Sequence, residues 1–458
     1  MSTMWRPDLS KAGKSKYQAL ASALRKGIAD GVLEKGSKLP PVRDLAYRAS
    51  VTPGTVARAY TLLKDEGLLE AGVGRGTFVA DKQMQSDEPH DWPETVSFRS
   101  PWLPDVGQTE LLRDAIRSVG EQACTRSMMR YPNDVDDRPL RETMRGHLAG
   151  LPIGNFAADD IVLAHGAQNA MLAVLQTVLE GPEPVVLIEQ HAYPGFRRAA
   201  ELCRARVVAV ECDAEGPLPD ALEEAARRHR AQVFLTSAEV NNPTLRRTTL
   251  RRRHEVAEVA RRHGLHVVDD DCYKLTPASA DSYRALLPDL GWYVSSLSKT
   301  LTPALRVGWA IGPRVRTKDL VRTVSFTCFG LARPLTEITN TVLNDPRLHP
   351  VLRQTREKLA ERVRLALNHL GGHDVTWQED VPLLWISLPG GWRASRFVRA
   401  AQARGVLLKS SEDFVLRDTR APHSVRLAIN AQVAEGCFEA AVDIIRDLLD
   451  NPQDEISV

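Results

Sequence analysis

The stretch GWYVSSLSKTLTPALRVGW, residues 291–309, is where the reading of this chain starts. It opens on an apolar, aromatic and β-branched run and passes through Ser295, Ser296 and Ser298 to Lys299. Arg306 follows seven residues later, and a second apolar run extends from Val307 to Ile311. That order reads as strand, polar loop with one lysine, arginine, strand. A lysine at the end of a buried strand is desolvated, and desolvation lowers its pKa toward a nucleophilic free amine. Hydroxyls and an arginine nearby suit a phosphate. Together they describe a Schiff-base lysine beside the phosphate of its own cofactor. The plain alternative is a solvated loop lysine, so the flanking elements must decide.

Outward from this stretch, strands and helices alternate from Val96 on. Ile161–Ala164, Val185–Ile188, Arg206–Val210, Val233–Thr236 and His266–Val268 read as buried strands. Leu111–Gln122, Leu140–Leu148, Gln168–Leu179, Leu218–Arg228 and Leu250–Arg262 read as helices. Such alternation predicts a mainly parallel sheet covered on both faces, with ligand sites at the carboxyl ends of its strands.

Several candidates lie just past such ends. In LAHGAQNAM (Leu163–Met171) a strand passes through glycine into a helix start, so the amides of Ala167 and Gln168 can face an anion; a plain strand-to-helix turn is the alternative. Tyr193, in EQHAYPG, can stack on a flat ring or simply pack. VNNPT (Val240–Thr244) is turn chemistry whose amide could also donate to a phenolate oxygen. DDDCY (Asp269–Tyr273) places three acids at a strand end, where their repulsion calls for a cation such as a protonated ring nitrogen; an acidic loop or a magnesium site is the alternative.

At 458 residues the chain exceeds one core and predicts two or three domains. Its 43% hydrophobic and 26% charged content is that of a soluble globular protein. No apolar run approaches the ~18 residues of a membrane span, and MSTMWRPDLSKAGKSK lacks a signal-peptide core. The cysteines at 124, 203, 212, 272, 328 and 437 form no C-x-x-C pair, which predicts reduced thiols in a cytoplasmic protein and no metal site. Residues 1–80 carry 13 Lys/Arg against 7 Asp/Glu, whereas residues 81–95 carry one Lys against five acids. A basic head on a neutral body points to a polyanion partner for the head only.

Within that head, Tyr17–Leu33, Pro41–Ala49 and Val56–Glu66 read as helices, the last two separated by a break at Val51–Thr55. Leu68–Val79 reads as a glycine-rich hairpin. Three helices and a hairpin make a winged helix-turn-helix. LPPVRDLAYRASVTPGTVARAYTLLKDEGLLEAGVGRGTFV (Leu39–Val79) resembles the winged-helix DNA-binding domain of the GntR family. The resemblance implies that Thr52, Thr55 and Arg58 face bases or phosphates from the third helix, while Arg43 and Arg75 grip backbone. Pro41 and Pro53-Gly54 depart from the usual pattern. The aperiodic, acidic segment 81–95 reads as a linker.

HGAQ, AYPG, NNPT, D-x-x-Y and SLSK with its following arginine, taken together, resemble the fold-type I aminotransferases across about residues 96–450. With the GntR-like head in front, the whole chain is similar to the MocR family of pyridoxal phosphate-dependent transcription regulators. The resemblance implies an α/β fold and three parts: a winged-helix head at 1–80, a linker at 81–95 and a pyridoxal phosphate-binding effector domain at 96–458. It implies that Lys299 holds pyridoxal 5'-phosphate as an internal aldimine and that Asp270, or Asp271 one residue on, pairs with the pyridine nitrogen. Tyr273 and Asn242 would bond the ring oxygen, and Tyr193 would cover a ring face. Ser296, Ser298, Arg306, Ala167 and Gln168 would hold the phosphate, with Tyr131 reaching the neighbouring subunit's phosphate in a homodimer. Arg426, in SVRLAIN, would bind an effector carboxylate. Leu245 stands where the aminotransferase pattern has glycine, and the glycine expected after Tyr131 is absent. The function implied is a regulator of double-stranded promoter DNA that senses a small amino compound through an external aldimine at Lys299. An active aminotransferase with an appended DNA domain is the alternative.

Overall fold

A computed structural model describes residues 16–29, 32–33, 37–65, 69–72, 76–79, 95–122, 129–132, 134–273, 278, 280–417 and 419–452. The chain divides into two units, Met1–Asp91 and Trp92–Val458.

In the first unit, helices α1 (Lys16–Ala29), α2 (Val42–Arg48) and α3 (Pro53–Asp65) precede an antiparallel hairpin of β1 (Leu69–Gly72) and β2 (Gly76–Val79). Leu20 and Leu24, one turn apart on α1, meet Leu45 of α2 and Val56, Ala59 and Leu63 of α3. Leu69 and Val79 of the hairpin complete this core. The third helix begins earlier than the sequence suggests. Pro53 enters it because the first turn has no use for the missing N–H, and the Thr52 hydroxyl accepts the Thr55 N–H at 3.3 Å as a cap. The first helix, in turn, ends at Ala29 rather than continuing to Leu33.

The second unit is built on a seven-stranded sheet. Its strands are β3 (Ile161–Ala164), β4 (Val185–Glu189), β5 (Arg206–Val210), β6 (Val233–Thr236), β7 (His266–Asp270), β8 (Gly291–Ser296) and β9 (Gly308–Ile311), in the order β3-β9-β8-β7-β6-β4-β5. Every neighbouring pair is parallel except those made by β9. The strands are apolar on both faces, and alternate residues feed separate cores. Val186 and Ile188 pack with the helices Ala167–Val178, Pro194–Leu202 and Thr317–Cys328. Val185 and Leu187 pack with Pro219–His229 and Leu250–His263.

Helices at 108–122 and 134–148 are longer than the spacing suggests, Gln108–Gln122 and Asp134–Leu148, the latter accommodating Pro139 in its early turns. A four-stranded antiparallel sheet (Val375–Trp377, Leu383–Ser387, Ser424–Ala428, Lys409–Ser410) makes the C-terminal part. It is covered by the helices Leu348–Leu370, Ala394–Ala403 and Glu435–Asp450. Among the described residues no helix is long and apolar enough to cross a membrane.

Candidate functional site

The carboxyl ends of β7 and β8 and the start of β9 converge on a cavity of about 330 Å³. Lys299 lines it from the short helical turn that follows β8, with its Nζ 5.7 Å from the Tyr273 ring centroid. Burial lowers the Lys299 pKa, and the positive Arg426 and Arg306 lower it further against an opposing effect from Cys272. The neutral amine is thereby favoured.

Only one of the three consecutive acids faces this cavity. Asp269 points away and accepts the Ala238 N–H at 3.0 Å. Asp271 accepts the Tyr293 hydroxyl at 3.0 Å and lines a different cavity beside Leu297 and Leu301. Asp270 shares the cavity with Lys299. Burial raises its pKa to about 6; a hydrogen bond from the Cys272 thiol pulls it down and Asp269 pushes it up. Its Oδ1 has no hydrogen-bond partner among the described residues. The geometry therefore separates Asp270 from Asp271, which the sequence leaves open.

At the opposite wall, β3 turns through Gly166 into the helix Ala167–Val178, whose first amides have no intrahelical acceptor. The Arg306 guanidinium lies on Gly166, where an added Cβ would sit 2.9 Å from Nη2, and it donates to the His165 carbonyl at 3.3 Å. A Cβ on Gly308 would lie 2.4 Å from the Gly166 carbonyl carbon, so glycine at both places lets β9 and this turn touch. Arg306 itself has φ 50°, a left-handed conformation that is strained for arginine. The Ser296 hydroxyl accepts the Ser298 N–H at 3.4 Å, and the buried Ser298 Oγ has no partner among the described residues.

Tyr193 caps the helix Pro194–Leu202 and lies over Gly195, where a Cβ would be 2.1 Å from the ring. This contact is the physical sense of the AYPG sequence. Arg426, 3% exposed, donates to Asn242 Oδ1 at 3.0 Å and to the Arg99 carbonyl. Asn242 Nδ2 and Arg426 Nε are buried without partners among the described residues. A second layer holds the Asn-Asn-Pro turn: Glu189, 1% exposed, accepts from Thr236 Oγ1 at 2.5 Å, from Asn241 Nδ2 at 2.8 Å and from Arg246. Leu245, in the place of the expected glycine, takes φ 58° and buries its side chain with Val381, Trp385 and Phe414.

Lys299, Asp270, Tyr273, Tyr193, Ala167, Gln168, Ser296, Ser298, Arg306 and Arg426 thus line one cavity, with Asn242 bonded to Arg426. Tyr131 does not; it is exposed and stacks on Phe329 with ring centroids 5.1 Å apart. The sequence reading missed Arg99, Arg198, Cys272, Lys409 and Phe414, which line the same cavity. Of these, only Cys272 carried a local signal, standing inside the DDDCY stretch. On the head, Arg43, Thr52 and Arg58 are exposed and Thr55 is half-buried. The Arg58 guanidinium sits 4.2 Å from the centre of the Tyr17 ring. Arg75, and the linker 81–95 apart from Thr95, lie outside the described residues.

The residues present fit pyridoxal 5'-phosphate. A carboxylate oxygen on Asp270, an amide donor on Asn242 and a hydroxyl on Ser298 are buried and unpartnered among the described residues. Buried polar groups are rarely left so, because each unmade bond costs about 1–3 kcal/mol. A ring nitrogen, a phenolic oxygen and a phosphate are the complementary groups.

Two known families match parts of this chain. The family described as aminotransferase class I and II matches residues 106–445, and the family of bacterial regulatory proteins, gntR family, matches residues 16–79. The chain is 26% identical over 455 residues to the uncharacterized HTH-type transcriptional regulator YdeF of Bacillus subtilis, covering 98% of this chain and 97% of that one. It is 25% identical over 354 residues to the HTH-type pyridoxine biosynthesis transcriptional regulator PdxR of Corynebacterium glutamicum, covering 75% and 76%. Among solved structures, the fold of LysN, the alpha-aminoadipate aminotransferase of Thermus thermophilus, superposes with a TM-score of 0.68 at 21% identity, covering 85% of this chain and 97% of that one.

Proposed function

This chain belongs to the aminotransferase class I and II family, carries a GntR-family helix-turn-helix domain and takes pyridoxal 5'-phosphate as its cofactor; from that premise we propose that it is a promoter-binding regulator that senses a small amino compound at Lys299. The observation that carries the proposal is the presence in one chain of a GntR-family head and a cavity whose lysine is shifted toward its neutral form beside a buried carboxylate with one oxygen lacking a partner among the described residues. Residues 1–80 serve as the head, 81–95 as linker and 96–458 as the effector domain.

When bound, the cofactor supplies an aldehyde carbon open to amines and a ring able to withdraw electrons. Lys299 offers the free amine, and its desolvation keeps that nitrogen nucleophilic. Asp270 holds a proton on the pyridine nitrogen. Asn242 and Tyr273 donate to the ring oxygen, and Tyr193 covers one ring face. Arg306, Ser296, Ser298 and the amides of Ala167 and Gln168 bind the phosphate. Tyr131 reaches the phosphate of a second copy in a homodimer, in keeping with its exposure outside the cavity of its own chain. Arg426 pairs with the effector's carboxylate. Thr52, Thr55 and Arg58 read the major groove, with Arg43 and Arg75 on the backbone. The protein works in the cytoplasm.

Regulation requires the effector to bind two arrangements of the dimer with different affinity. A DNA-shift titration tests it: addition of the effector changes promoter affinity in the wild type, and Lys299→Ala loses that response. An unchanged response in the variant overturns the proposal. The complete set of cavity groups also favours a second reading, amino-group transfer to a 2-oxo acid. Many turnovers per site would establish that reading instead.

A further inference from the structure

The turn that carries Lys299 has two sides, and only one of them belongs to the cofactor cavity. On the other side lies a second cavity of about 340 Å³, within the same unit and as large as the first. Leu297 and Thr300, which flank Ser298 and Lys299, line it, as does Leu301, whose N–H donates to the Leu297 carbonyl at 2.9 Å. Ser296 lines both cavities, and its hydroxyl accepts the Ser298 N–H. An occupant of the second cavity therefore presses on the backbone that aims Lys299.

The walls are mainly apolar because a sheet face and two helices meet there. Met144 and Leu148 stand one turn apart on Asp134–Leu148, Leu348 and Leu352 one turn apart on Leu348–Leu370, and Tyr293 and Trp309 come from β8 and β9. Charged groups fall in two places. Asp271, the only acid among the described lining residues, accepts the Tyr293 hydroxyl at 3.0 Å and so belongs to the sheet end. His147 and His349 are exposed, with ring centroids 6.0 Å apart, and mark the mouth. Arg356 follows His349 by seven residues, two turns along the same face of its helix. An apolar cavity of this size with a few converging polar groups has the form of a small-molecule site. Its cations draw an anionic group to the mouth, while Asp271 repels one from the sheet end.

We propose that this cavity binds a small carboxylic acid with an apolar body, the carboxylate at the mouth with Arg356, His147 and His349 and the body among the leucines, and that the bound acid alters how Lys299 holds the cofactor. The proposal needs the cofactor in the first cavity but neither the sensing role nor the DNA contacts.

The test uses the full-length, cofactor-loaded protein, with octanoate as the probe and octan-1-ol as an uncharged compound of the same chain length. Octanoate changes the visible absorbance of the cofactor saturably and binds about tenfold or more tightly than octan-1-ol, since a charge-assisted bond replaces a neutral one. His349→Glu, at an exposed position, adds an acid at the mouth; it weakens octanoate about tenfold and leaves octan-1-ol unchanged. Leu352→Trp fills the cavity and weakens both. Neither replaced residue lines the cofactor cavity, so binding there is insensitive to both changes. No octanoate binding by calorimetry, equal affinity for the alcohol, or an octanoate affinity that survives both variants overturns the site. Binding by calorimetry without a spectral change overturns the link to Lys299.

Discussion

The two working surfaces of this chain rest on opposite physics. The head presents exposed polar groups, Arg43, Thr52 and Arg58, already solvated. Its cavity-bearing neighbour buries Asp270, Asn242 and Ser298 with polar atoms unsatisfied among the described residues. Exposed cations attract a polyanion over a distance and are screened by salt. Buried unpartnered groups do nothing at a distance but discriminate sharply on contact, because each missing complement costs a desolvated bond. Recognition of DNA is therefore expected to be graded and salt-dependent, and recognition of the cofactor stringent and nearly insensitive to salt.

The strongest way to break this contrast is at Lys299. Borohydride reduction of the cofactor-loaded wild type followed by peptide mapping places a pyridoxyl group on that side chain. Lys299→Ala abolishes the adduct entirely. A pyridoxyl adduct on another lysine of the wild type would remove the buried-amine half of the comparison.

Asp270 tests what a buried carboxylate with one oxygen lacking a partner among the described residues costs. Its folded pKa, about 6, exceeds the ordinary value of 3.8, so between those limits the folded state retains a proton that the unfolded state has released. Stability of the cofactor-free protein falls as pH rises through this window and stays reduced above it, by up to about 3 kcal/mol. Asp270→Asn removes that penalty: its cofactor-free form melts higher than wild type at pH 7.5, and the gap closes toward pH 4. The same substitution weakens cofactor binding by about 10–100-fold, because the charge that holds the ring proton is gone. A variant that melts no higher at pH 7.5 would show that Asp270 is already satisfied in the free protein.

Leu245 sharpens the comparison from within the cavity's support. Its left-handed backbone costs about 1–2 kcal/mol for a residue with a Cβ, yet its side chain is 1% exposed. Losing a buried leucine costs about 2–5 kcal/mol. Packing outweighs strain, so Leu245→Gly lowers stability by about 1–3 kcal/mol in a thermal melt, even though glycine suits the backbone better. A rise in Tm would show that strain dominates.

How much of this is legible in the sequence follows the same division. Ile161–Ala164, Arg206–Val210 and Val233–Thr236 occur as read, because short β-branched runs bounded by turns leave a strand little freedom in its limits. Helix starts fall earlier than the spacing suggests where proline enters the first turns, at Pro53 and before Pro139. The C-terminal sheet is not legible, since Leu383–Ser387 finds its partner at Ser424–Ala428, too far along the chain for any local pattern. In the cavity, the residues at strand ends are legible because the parallel sheet sends them to one edge. Arg99, Arg198 and Lys409 are not identifiable as a set, since nothing local distinguishes a cation that will share a cavity from one that faces open water.

The smallest expected effect is on the head. Arg43 is exposed on α2, whereas Arg58 stacks on Tyr17 and has a packing role as well as a charge. Arg43→Gln therefore isolates one phosphate contact: promoter binding weakens by about tenfold or less at low salt, and the slope of log affinity against log salt falls by about one. Because the lost term is counterion release, the variant and wild-type curves converge as salt rises, while cofactor affinity measured over the same range stays nearly flat in both. An unchanged slope would mean that Arg43 contacts no phosphate, and parallel salt curves for cofactor and DNA would mean that the two surfaces do not differ in kind.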